Sequence, residues 1–497
     1  MLAFFSLTST TCSTLLLTVA LRTLRATAFD NTLYSNVAVY WGQDSYGATN
    51  TDAANFQQPI DFYCQDDAID VFPIAFVNTF FGTGGDPVLN LANTCNATSN
   101  GYFSGTELLD CSYLAPAIEK CQAAGKIVTI SLGGAGGGVG FQSDSQAQQL
   151  ADTIWNIFLG GSSSTRPFGS AVLDGVDLDI EGGSNSGYAA FVTQLRTHFS
   201  GASKQYYVSG APQCVYPDAY LDSALNNASF DMVYVQFYNN PCGLQTFGTT
   251  NWNFGVWDIW ARTISPNPNV KVFIGAPASS SAAGSGYQSI SELSQIAAAT
   301  RNAFPSFGGV MLWDASQAYA NDRYDLNIKN ALVSAGSTGF TFPACSAAAW
   351  TSGGDYPGGS QVTYNSYLWQ AKWYASSTPS INGDGDWAPI SACSGTPPSG
   401  SSSAPGSSPT GGAGCAGIAA WESSQVYVGG DQVTYNGDLW TAQWWTEGDT
   451  PGGSAGVWIE DGACTSTAAK AKAEAADKKI TAEPDAHKPV NSRFFRL

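Results

Sequence analysis

The sequence predicts an α/β fold, a (β/α)8 TIM barrel followed by two small, disulfide-stapled β-rich modules, and three observations support this prediction. Between residues 34 and 335, eight short β-branched runs alternate with amphipathic, helix-like stretches. Residues 345–393 and 415–464 are similar enough to be an internal duplication, and each begins and ends with a cysteine. The segment between them, 394–414, is rich in Ser, Gly and Pro, a composition typical of a flexible linker.

The barrel is predicted from the strand-like runs, which we place at 36–41, 69–78, 126–132, 172–181, 206–211, 232–238, 271–276 and 309–313. Helix-like stretches fall between many of them, for example at 145–158, 188–199 and 290–303. This alternation favours a parallel sheet, and eight units fit a closed barrel, which typically takes about 250 residues. A doubly wound open sheet is the alternative, but the sequence has no Gly-rich dinucleotide fingerprint to support it. We therefore assign residues 29–340 to the barrel.

The composition narrows the class of partner. The 497 residues carry a formal net charge of −19, and only 12% of them are charged. A chain this acidic is disfavoured as a binder of nucleic acid or of anionic membrane surfaces. Aromatic residues make up 13% of the chain, which favours stacking on flat apolar faces such as those of sugar rings. A large aromatic core is the alternative for most of these residues taken singly.

The first 28 residues are predicted to be a secretory signal peptide. An apolar run at 15–21 precedes Ala26-Thr27-Ala28, a small-residue cleavage pattern, although Arg22 and Arg25 follow the run. A membrane anchor is the alternative, but the run is far shorter than the roughly 20 residues that span a bilayer. We expect a secreted protein with an extracellular or cell-wall location.

The cysteines and sequons agree with secretion. Eleven cysteines become ten once Cys12 leaves with the signal peptide, and an even count in a secreted chain favours disulfides. A disulfide across each short repeat predicts the pairs Cys345–Cys393 and Cys415–Cys464. No CxxC pair suggests zinc, and we expect neither a metal nor a cofactor. Asn96 and Asn227 begin N-glycosylation sequons, and the tail at 465–497 is predicted to be disordered.

One motif concentrates acidic residues: at 174–181 the sequence reads Asp-Gly-Val-Asp-Leu-Asp-Ile-Glu. Alternate side chains of a strand point to one face, so Asp177, Asp179 and Glu181 share a face and the intervening apolar residues share the other. Carboxylates only about 6.5–7 Å apart cannot all ionise cheaply on a buried face, so at least one pKa should be raised. A carboxyl group held protonated near neutral pH is a general acid. A calcium-binding acidic loop is the alternative, but the apolar residues favour a strand.

The three carboxyl groups project from one strand in one direction. They cannot easily flank both faces of a sugar ring, as the two carboxyl groups of most glycosidases do. The geometry therefore favours a mechanism in which the substrate supplies its own nucleophile.

The motif at 174–181 resembles the active-site motif of family 18 glycoside hydrolases, in particular the hevamine-like class III chitinases. The resemblance covers about residues 34–335. It recurs in order at predicted strand ends: 40–43 (Tyr-Trp-Gly-Gln), 131–134 (Ser-Leu-Gly-Gly), 211–214 (Ala-Pro-Gln-Cys), 236–240 (Gln-Phe-Tyr-Asn-Asn) and 309–313 (Gly-Val-Met-Leu-Trp).

The resemblance implies a role for each matching residue. Glu181 protonates the glycosidic oxygen and then serves as base for the incoming water. Asp179 orients the substrate acetamide for attack on the anomeric carbon, and Asp177 holds and tunes Asp179. Tyr238 donates a hydrogen bond to the same acetamide, and Trp313 forms an apolar floor beneath the sugar. The remaining substrate-binding residues that it implies are Tyr40, Gln43, Phe76, Asn90 and Gln236.

Some of these assignments keep an alternative. Ordinary core packing is the alternative for Trp313, Phe76 and Tyr238. Asp174 is expected to be structural, held by hydrogen bonds at the start of its strand. Asp314 departs from the related chitinases, which carry a small polar residue there, and the departure bears on substrate preference. The resemblance also implies three disulfides, which spacing alone does not prove: Cys64–Cys121, Cys95–Cys111 and Cys214–Cys242.

Each repeat resembles the small carbohydrate-binding modules of families 5 and 12, which bind chitin and sometimes cellulose. The residues implied to bind are Tyr356, Trp373 and Tyr374 in the first module, and Tyr427, Trp444 and Trp445 in the second. The alternative is that one aromatic residue of each adjacent pair lies in the core. The other tryptophans of the repeats are interpreted as mainly core residues: Trp350, Trp369, Trp387, Trp421, Trp440 and Trp458.

Together these features predict a monomeric, secreted chitinase that acts on chitin and chito-oligosaccharides, with no nucleic acid or membrane as partner. The predicted reaction is hydrolysis of β-1,4-linked N-acetylglucosamine with retention at the anomeric carbon. Two alternatives remain at this point. One is a non-catalytic chitin-binding lectin or enzyme inhibitor on the same barrel, and the other is an endo-β-N-acetylglucosaminidase that trims N-glycans.

Overall fold

The structure is a computed structural model that describes residues 28–136, 139–382, 385–396, 415, 418–423, 425–427, 431–442, 446–453 and 455–464. Residues 1–27 of the predicted signal peptide, most of the predicted linker, Trp444, Trp445 and the predicted tail lie outside the described residues. Within the described part of the chain, no helix has the length and apolar character needed to cross a membrane.

Nine strands form the main sheet, and eight of them are parallel and close into a barrel. The barrel order is β1-β9-β8-β7-β6-β5-β4-β2, and it closes where Ala38 of β1 pairs with Val71 of β2. This closure excludes the open-sheet alternative and confirms all eight predicted strands. The strands are β1 (Asn36–Val39), β2 (Val71–Thr79), β3 (Val88–Leu89, antiparallel to β2), β4 (Ile127–Gly133), β5 (Gly175–Asp179), β6 (Tyr207–Gly210), β7 (Met232–Gln236), β8 (Lys271–Pro277) and β9 (Phe307–Trp313).

Helices follow the barrel strands and cover their outer faces. Two of the predicted helices have the observed bounds, and the third begins one residue earlier, because Ser143 accepts a hydrogen bond from Gln146 N and caps it. The helices are α1 (Ser45–Thr49), α2 (Ile60–Tyr63), α3 (Ala115–Ala123), α4 (Asp144–Phe158), α5 (Tyr188–Phe199), α6 (Asp222–Asn227), α7 (Phe254–Thr263), α8 (Ile290–Ala303), α9 (Ala315–Ala320) and α10 (Tyr324–Ala335).

The alternation of β5 places its two faces in different surroundings. Val176 and Leu178 belong to the large apolar cluster between strands and helices. The carboxyl groups of Asp177 and Asp179 therefore point into the barrel, where a smaller cluster that includes Met232 fills the space beneath them. The strand is buried along its whole length, as expected for a parallel sheet covered by helices.

Asp174, which directly precedes β5, anchors the start of that strand to neighbouring elements through polar contacts. Its Oδ2 accepts hydrogen bonds from Gln122 Nε2 and Val128 N, both at 2.8 Å, and its Oδ1 pairs with Lys204 Nζ at 2.9 Å. These contacts join the residue to α3, β4 and the segment before β6. Asp174 thus has the structural role that was expected of it.

The two repeats share one architecture. In the first module, β10 (Gln361–Tyr364), β11 (Tyr367–Ala371) and β12 (Trp387–Ala392) form an antiparallel sheet. The second contains β13 (Val426–Tyr427), β14 (Gln432–Tyr435), β15 (Asp438–Ala442), β16 (Thr446–Glu447) and β17 (Trp458–Ala463). The register shifts at the equivalent step in both sheets, between Leu368 and Trp369 and between Leu439 and Trp440.

Five disulfides join the cysteines in the pairs that were expected. Three lie in the barrel and one spans each module: Cys64–Cys121, Cys95–Cys111, Cys214–Cys242, Cys345–Cys393 and Cys415–Cys464. Both sequon asparagines lie in accessible positions, Asn96 in a turn and Asn227 at the end of α6, and their glycosylation stays a prediction.

Candidate active site

The carboxyl ends of the barrel strands surround a pocket of about 490 Å³. This is the end of a TIM barrel at which active sites are found. All the predicted catalytic and cleft residues except Asp177 line the pocket: Asp179, Glu181, Tyr238, Tyr40, Gln43, Phe76, Asn90, Gln236 and Trp313. The structure therefore brings together residues from six strands that are up to 273 positions apart in the chain (Tyr40 to Trp313).

Asp177 lies inside the barrel and is fully buried. Its Oδ2 accepts hydrogen bonds from the hydroxyls of Tyr40 at 2.7 Å and Ser131 at 2.6 Å, and its Oδ1 accepts one from Ser209 at 2.7 Å. Burial raises the pKa of Asp177, and these three hydrogen bonds lower it. Ser131 and Ser209 pair directly with Asp177 across the sheet, so the parallel register supplies two of the three donors.

Asp179 and Glu181 form a hydrogen-bonded pair above Asp177. Burial, together with the neighbouring charges of Glu181 and Asp177, holds the pKa of Asp179 well above its usual range. Burial also raises the pKa of Glu181, while its hydrogen bonds with Gln236 and Asp179 lower it. Both carboxyl groups therefore have raised pKa values, which agrees with the raised pKa that the motif predicts.

Gln236 positions Asp179 from the end of β7. Its Nε2 donates to Asp179 Oδ1 and to the carbonyl oxygen of Ala211, both at 2.9 Å. The amide is thus fixed at two points, and the carboxyl group of Asp179 is held between the Gln236 amide and Glu181.

Two glycines allow β4 to approach the catalytic strand. Gly133 has a φ of +112°, and a Cβ there would lie 2.1 Å from the carbonyl oxygen of Asp179. A Cβ on Gly134 would lie 2.9 Å from the ring of Phe76, and its N–H donates to Asp179 O at 2.8 Å. Only glycine fits this close approach, which gives a physical reason for the Gly-Gly of the 131–134 segment.

Aromatic rings form the floor of the pocket. The Trp313 indole lies nearly parallel to the Phe76 ring, at 16° and with ring centroids 5.8 Å apart, and 5.6 Å from the Tyr40 ring. The Tyr238 side chain is half-buried. Its burial and the charges of Asp179 and Glu181 raise its pKa well above the usual range, so its hydroxyl stays protonated as a donor.

The polar contacts of Gln43 and Asn90 are with the protein itself. Gln43 Nε2 donates to the carbonyl oxygens of Ala75 at 2.8 Å and Asn90 at 2.9 Å. Asn90 Oδ1 accepts from Ala92 N at 2.9 Å. Both residues line the pocket as predicted, and these hydrogen bonds shape its wall.

Sequence reasoning missed several pocket residues. Asn78 lines the pocket, and its buried Oδ1 has no hydrogen-bond partner among the described residues. The alternation of β2 was a signal for it, because Asn78 lies two positions after Phe76. The other unassigned lining residues are Gly133, Gly134, Ala135, Gly136, Ala211, Gln213, Asn239, Ala282 and Met311.

Asp314 lies outside this lining and is buried. Its carboxylate accepts from Ser45 N at 3.0 Å, Ser316 Oγ at 2.7 Å and Gln317 N at 3.1 Å. It caps α9 and ties that helix to the start of α1. These contacts give Asp314 a helix-capping role, and its influence on substrate preference stays a prediction.

The first module exposes one adjacent aromatic pair. Trp373 is 54% exposed and Tyr374 is 59% exposed. Trp373 Nε1 donates to Asp386 Oδ1 at 2.7 Å, and the Tyr374 hydroxyl donates to Asp355. The alternative that one member of this pair lies in the core is therefore wrong.

The prediction that Tyr356 and Tyr427 contribute to a binding surface is wrong. Both rings are buried, and each packs edge-on against the last tryptophan of its module, Trp387 or Trp458. The Tyr356 hydroxyl accepts from Thr351 N at 2.8 Å, and that of Tyr427 is used in the same way within its own module. Their role is to stabilise the modules from inside. Trp444 and Trp445 lie outside the described residues.

The remaining repeat tryptophans agree with a core role to differing degrees. Trp369, Trp387 and Trp458 are buried. Trp350, Trp421 and Trp440 are partly buried and pack against the apolar clusters of their modules.

Comparison with known proteins identifies the class to which this barrel and site belong. Residues 36–303 match the model of glycosyl hydrolases family 18, and residues 420–459 match the model of carbohydrate-binding module family 5/12. The first match spans more than half of the chain, so the chain belongs to glycosyl hydrolase family 18.

Several proteins of known name are similar to this chain. The chain is 48% identical to "Chitinase 2" of Rhizopus oligosporus over 303 residues, which are 61% of this chain and 53% of that protein. It is 42% identical to "Endochitinase 33" of Trichoderma harzianum over 310 residues, covering 60% of this chain and 91% of that protein. A crystal structure of ICChI chitinase from Ipomoea carnea is similar, with 34% identity, a TM-score of 0.49 and coverage of 60% and 99%. The chain thus spans about half the length of the Rhizopus relative.

The raised pKa of Asp179 predicts how its removal changes stability with pH. In wild type the unfolded chain ionises Asp179 near pH 4, while the folded chain gives up this proton only at a higher pH, so the free energy of unfolding falls as pH rises between the two pKa values. Asp179→Asn removes this loss. Thermal unfolding of the variant should show a Tm advantage over wild type that grows as pH rises above about 4, by about 3 °C for each 1 kcal/mol of stability that wild type loses in a domain of this size.

Asp322→Asn, at an exposed loop position, is the matched control and should show no such growth with pH. A Tm difference for Asp179→Asn that stays constant from pH 4 to pH 8 would contradict the raised pKa.

Proposed function

We propose that this protein is a chitinase that hydrolyses β-1,4 linkages between N-acetylglucosamine units by a retaining, substrate-assisted mechanism. One observation supports this above the others: a hydrogen-bonded Asp179–Glu181 pair with raised pKa values faces an aromatic-floored pocket. Catalytic acids need a proton at working pH, and burial favours the protonated form here. The names of the relatives support the choice of chitin as substrate.

Glu181 is the proposed acid in the first step. It transfers its proton to the glycosidic oxygen, and the bond between that oxygen and the anomeric carbon breaks. The carbonyl oxygen of the substrate's own acetamide forms the new bond to the anomeric carbon, which gives an oxazolinium intermediate. No second enzyme carboxylate on the opposite face of the sugar is needed in this scheme, in keeping with the position of all three groups in or just after β5.

Asp179 and Tyr238 are proposed to hold the acetamide. When the shared proton resides on Glu181, Asp179 is ionised and accepts a hydrogen bond from the acetamide N–H. It then stabilises the positive charge of the oxazolinium. Gln236 fixes Asp179 from one side, and the protonated Tyr238 hydroxyl donates to the acetamide.

Glu181 reverses its role in the second step. As a carboxylate it takes a proton from water, the water oxygen bonds to the anomeric carbon, and the oxazolinium ring opens to restore the acetamide. Two displacements at one carbon retain its configuration. Asp177, surrounded by three hydroxyls, supports the changing charge of Asp179 from below.

The modules are proposed to bind the insoluble polymer. The match of the second repeat to family 5/12 modules supports this, and the first repeat is included for its likeness to the second. In the first module the exposed pair Trp373 and Tyr374 provides apolar faces for stacking on sugar rings. Secretion to the exterior or the cell wall is likewise proposed, and the five disulfides support it.

Glu181→Gln tests the acid. The amide keeps the size and hydrogen-bonding capacity of the side chain but carries no transferable proton, so release of soluble sugar from colloidal chitin should fall by roughly 10²–10⁴-fold. Retention on chitin beads and Tm should change little. Glu119→Gln on the exposed face of α3 is the control, and near-normal turnover by the Glu181 variant would overturn the assignment. The same assay separates a chitinase from a lectin and from an N-glycan endoglycosidase.

The identity of the nucleophile is tested by changing the substrate instead of the enzyme. A chito-oligosaccharide whose reactive sugar lacks the acetyl group should resist cleavage there, because no acetamide oxygen is present to attack. A thiazoline analogue of the oxazolinium should inhibit. Product analysis by mass spectrometry checks the first point, and efficient cleavage of fully deacetylated polymer would show that an enzyme group is the nucleophile.

The aromatic pair is tested by the double change Trp373→Ala and Tyr374→Ala. Loss of about 1.4 kcal/mol of stacking weakens binding tenfold, so retention of the protein on chitin beads should fall by about that factor. Hydrolysis of short soluble chito-oligosaccharides should stay unchanged. Tyr102→Ala, which removes a similarly exposed ring from the barrel, is the control. Equal bead retention by all three proteins would exclude this pair as a chitin-binding surface.

A further inference from the structure

The first module is packed against the barrel through a buried polar contact. Asp258 of α7 is fully buried. Its Oδ2 accepts a hydrogen bond from the hydroxyl of Tyr367, in β11 of the first module, at 2.6 Å. Arg262 Nη1, one turn further along α7, donates to the same hydroxyl at 2.6 Å. A residue of the module thus completes the hydrogen bonding of a buried carboxylate of the barrel.

The remaining partners of Asp258 come from the barrel. Its Oδ1 accepts from Ser306 N at 2.9 Å, just before β9, and Arg262 Nη1 lies 3.6 Å from its Oδ2. Burial raises the pKa of Asp258, and hydrogen bonds with Ser306 and Tyr367 lower it. A buried carboxyl group that loses one of its partners is costly, so the barrel depends on Tyr367 as well as the module does.

Close packing accompanies this polar contact. A Cβ added to Gly255 at the start of α7 would lie 2.1 Å from the carbonyl oxygen of Pro389 in β12. The Arg262 guanidinium lies over the ring of Tyr367, 5.3 Å from its centroid, and over that of Phe342 at 5.5 Å. Trp369 and Trp387 of the module belong to the same continuous apolar cluster as the barrel core.

Hydrogen bonds also hold the segment between the barrel and the first module against the barrel. It follows α10, which ends at Ala335, and leads to Cys345. Arg301 of α8 donates to the carbonyl oxygens of Gly336 at 3.0 Å, Thr338 at 3.2 Å and Gly339 at 2.6 Å. The connection is therefore held along α8, unlike a free tether.

The second module, which arose from the same duplication, does not present an equivalent face among its described residues. The registers align β11 with β15 and β12 with β17, since Trp369 pairs with Pro389 where Trp440 pairs with Glu460. Asp438 therefore occupies the place of Tyr367. Where Ala388 and Pro389 are buried, Ile459 is 50% exposed and Glu460 is exposed. A carboxylate in place of the Tyr367 hydroxyl would be repelled by Asp258.

We infer that the first module is a fixed part of the catalytic unit, docked on α7 and α8 through Tyr367, and that the second module has lost or never had this docking face. The two copies of one module thus serve different purposes. The first completes the surface of the barrel and holds Trp373 and Tyr374 in a constant position relative to it. This inference concerns the packing of the chain and does not rest on the proposed function.

The test replaces Tyr367 of the first module with aspartate, the residue that the second module carries at the matching position 438. In the full chain, Tyr367→Asp places a carboxylate beside Asp258, and the Tm of the barrel should fall by roughly 5 °C or more. Hydrogen exchange of peptides from α7 should accelerate at least tenfold. Asp438→Asn, at the matched position of the second module, should change neither quantity.

A double-mutant cycle with more conservative substitutions covers the case in which Tyr367→Asp does not fold. Tyr367→Phe removes only the hydroxyl, and Asp258→Asn removes only the charge of its acceptor. If the two groups form a hydrogen bond across the interface, the sum of the Tm losses of the two single variants should be larger than the Tm loss of the double variant. Additive losses, or an α7 exchange rate in Tyr367→Phe equal to that of wild type, would overturn the docking.

Discussion

The crowding of three carboxyl groups along the end of one strand, two of them buried, is the constraint on which the rest of the site depends. The inner face of β5 carries Asp177 and Asp179, and Glu181 follows just beyond the end of the strand. Water is excluded, so each charge must be neutralised by a proton or compensated by hydrogen bonds. Hydrogen bonds from three hydroxyls compensate Asp177, whereas the raised pKa values of Asp179 and Glu181 favour neutralisation by a proton. The same burial that makes this arrangement costly to stability raises the pKa values of Asp179 and Glu181.

Closure of the parallel sheet provides the means to meet this constraint. Neighbouring strands in a parallel register present residues of one level to one another, and Ser131, Asp177 and Ser209 lie at one such level. Gly133 and Gly134 let the backbone of β4 approach the end of β5, so that the Gly134 N–H reaches a carbonyl oxygen there. The hydroxyls, amide and backbone donors are in place before any substrate arrives, which is the condition for electrostatic stabilisation without reorganisation.

The contact between the barrel and the first module also has to compensate a buried carboxylate, at a place away from the pocket. Asp258 is as deeply buried as Asp177 and is likewise compensated by a tyrosine hydroxyl from a distant part of the chain. Asp177 lies at the base of the candidate site, whereas Asp258 of α7 joins two units of one chain. The duplicated modules differ at this point because a tyrosine completes the hydrogen bonding of a buried acid, whereas an aspartate cannot.

The sequence by itself determined the strands of the barrel, the duplication, the cysteine pairs of the repeats and the carboxyl motif, because periodicity and spacing are local properties of the chain. The tertiary structure alone decided which distant side chains meet that motif. Register brings Ser131 and Ser209 to Asp177, although the sequence assigns neither serine a role, and β2 places Asn78 in the lining of the pocket. It also decided that Tyr356 is buried while Trp373 is exposed, since exposure depends on which face of a small sheet packs inward. The docking of Tyr367 on Asp258 joins residues 109 positions apart, and only the folded chain brings them to one place.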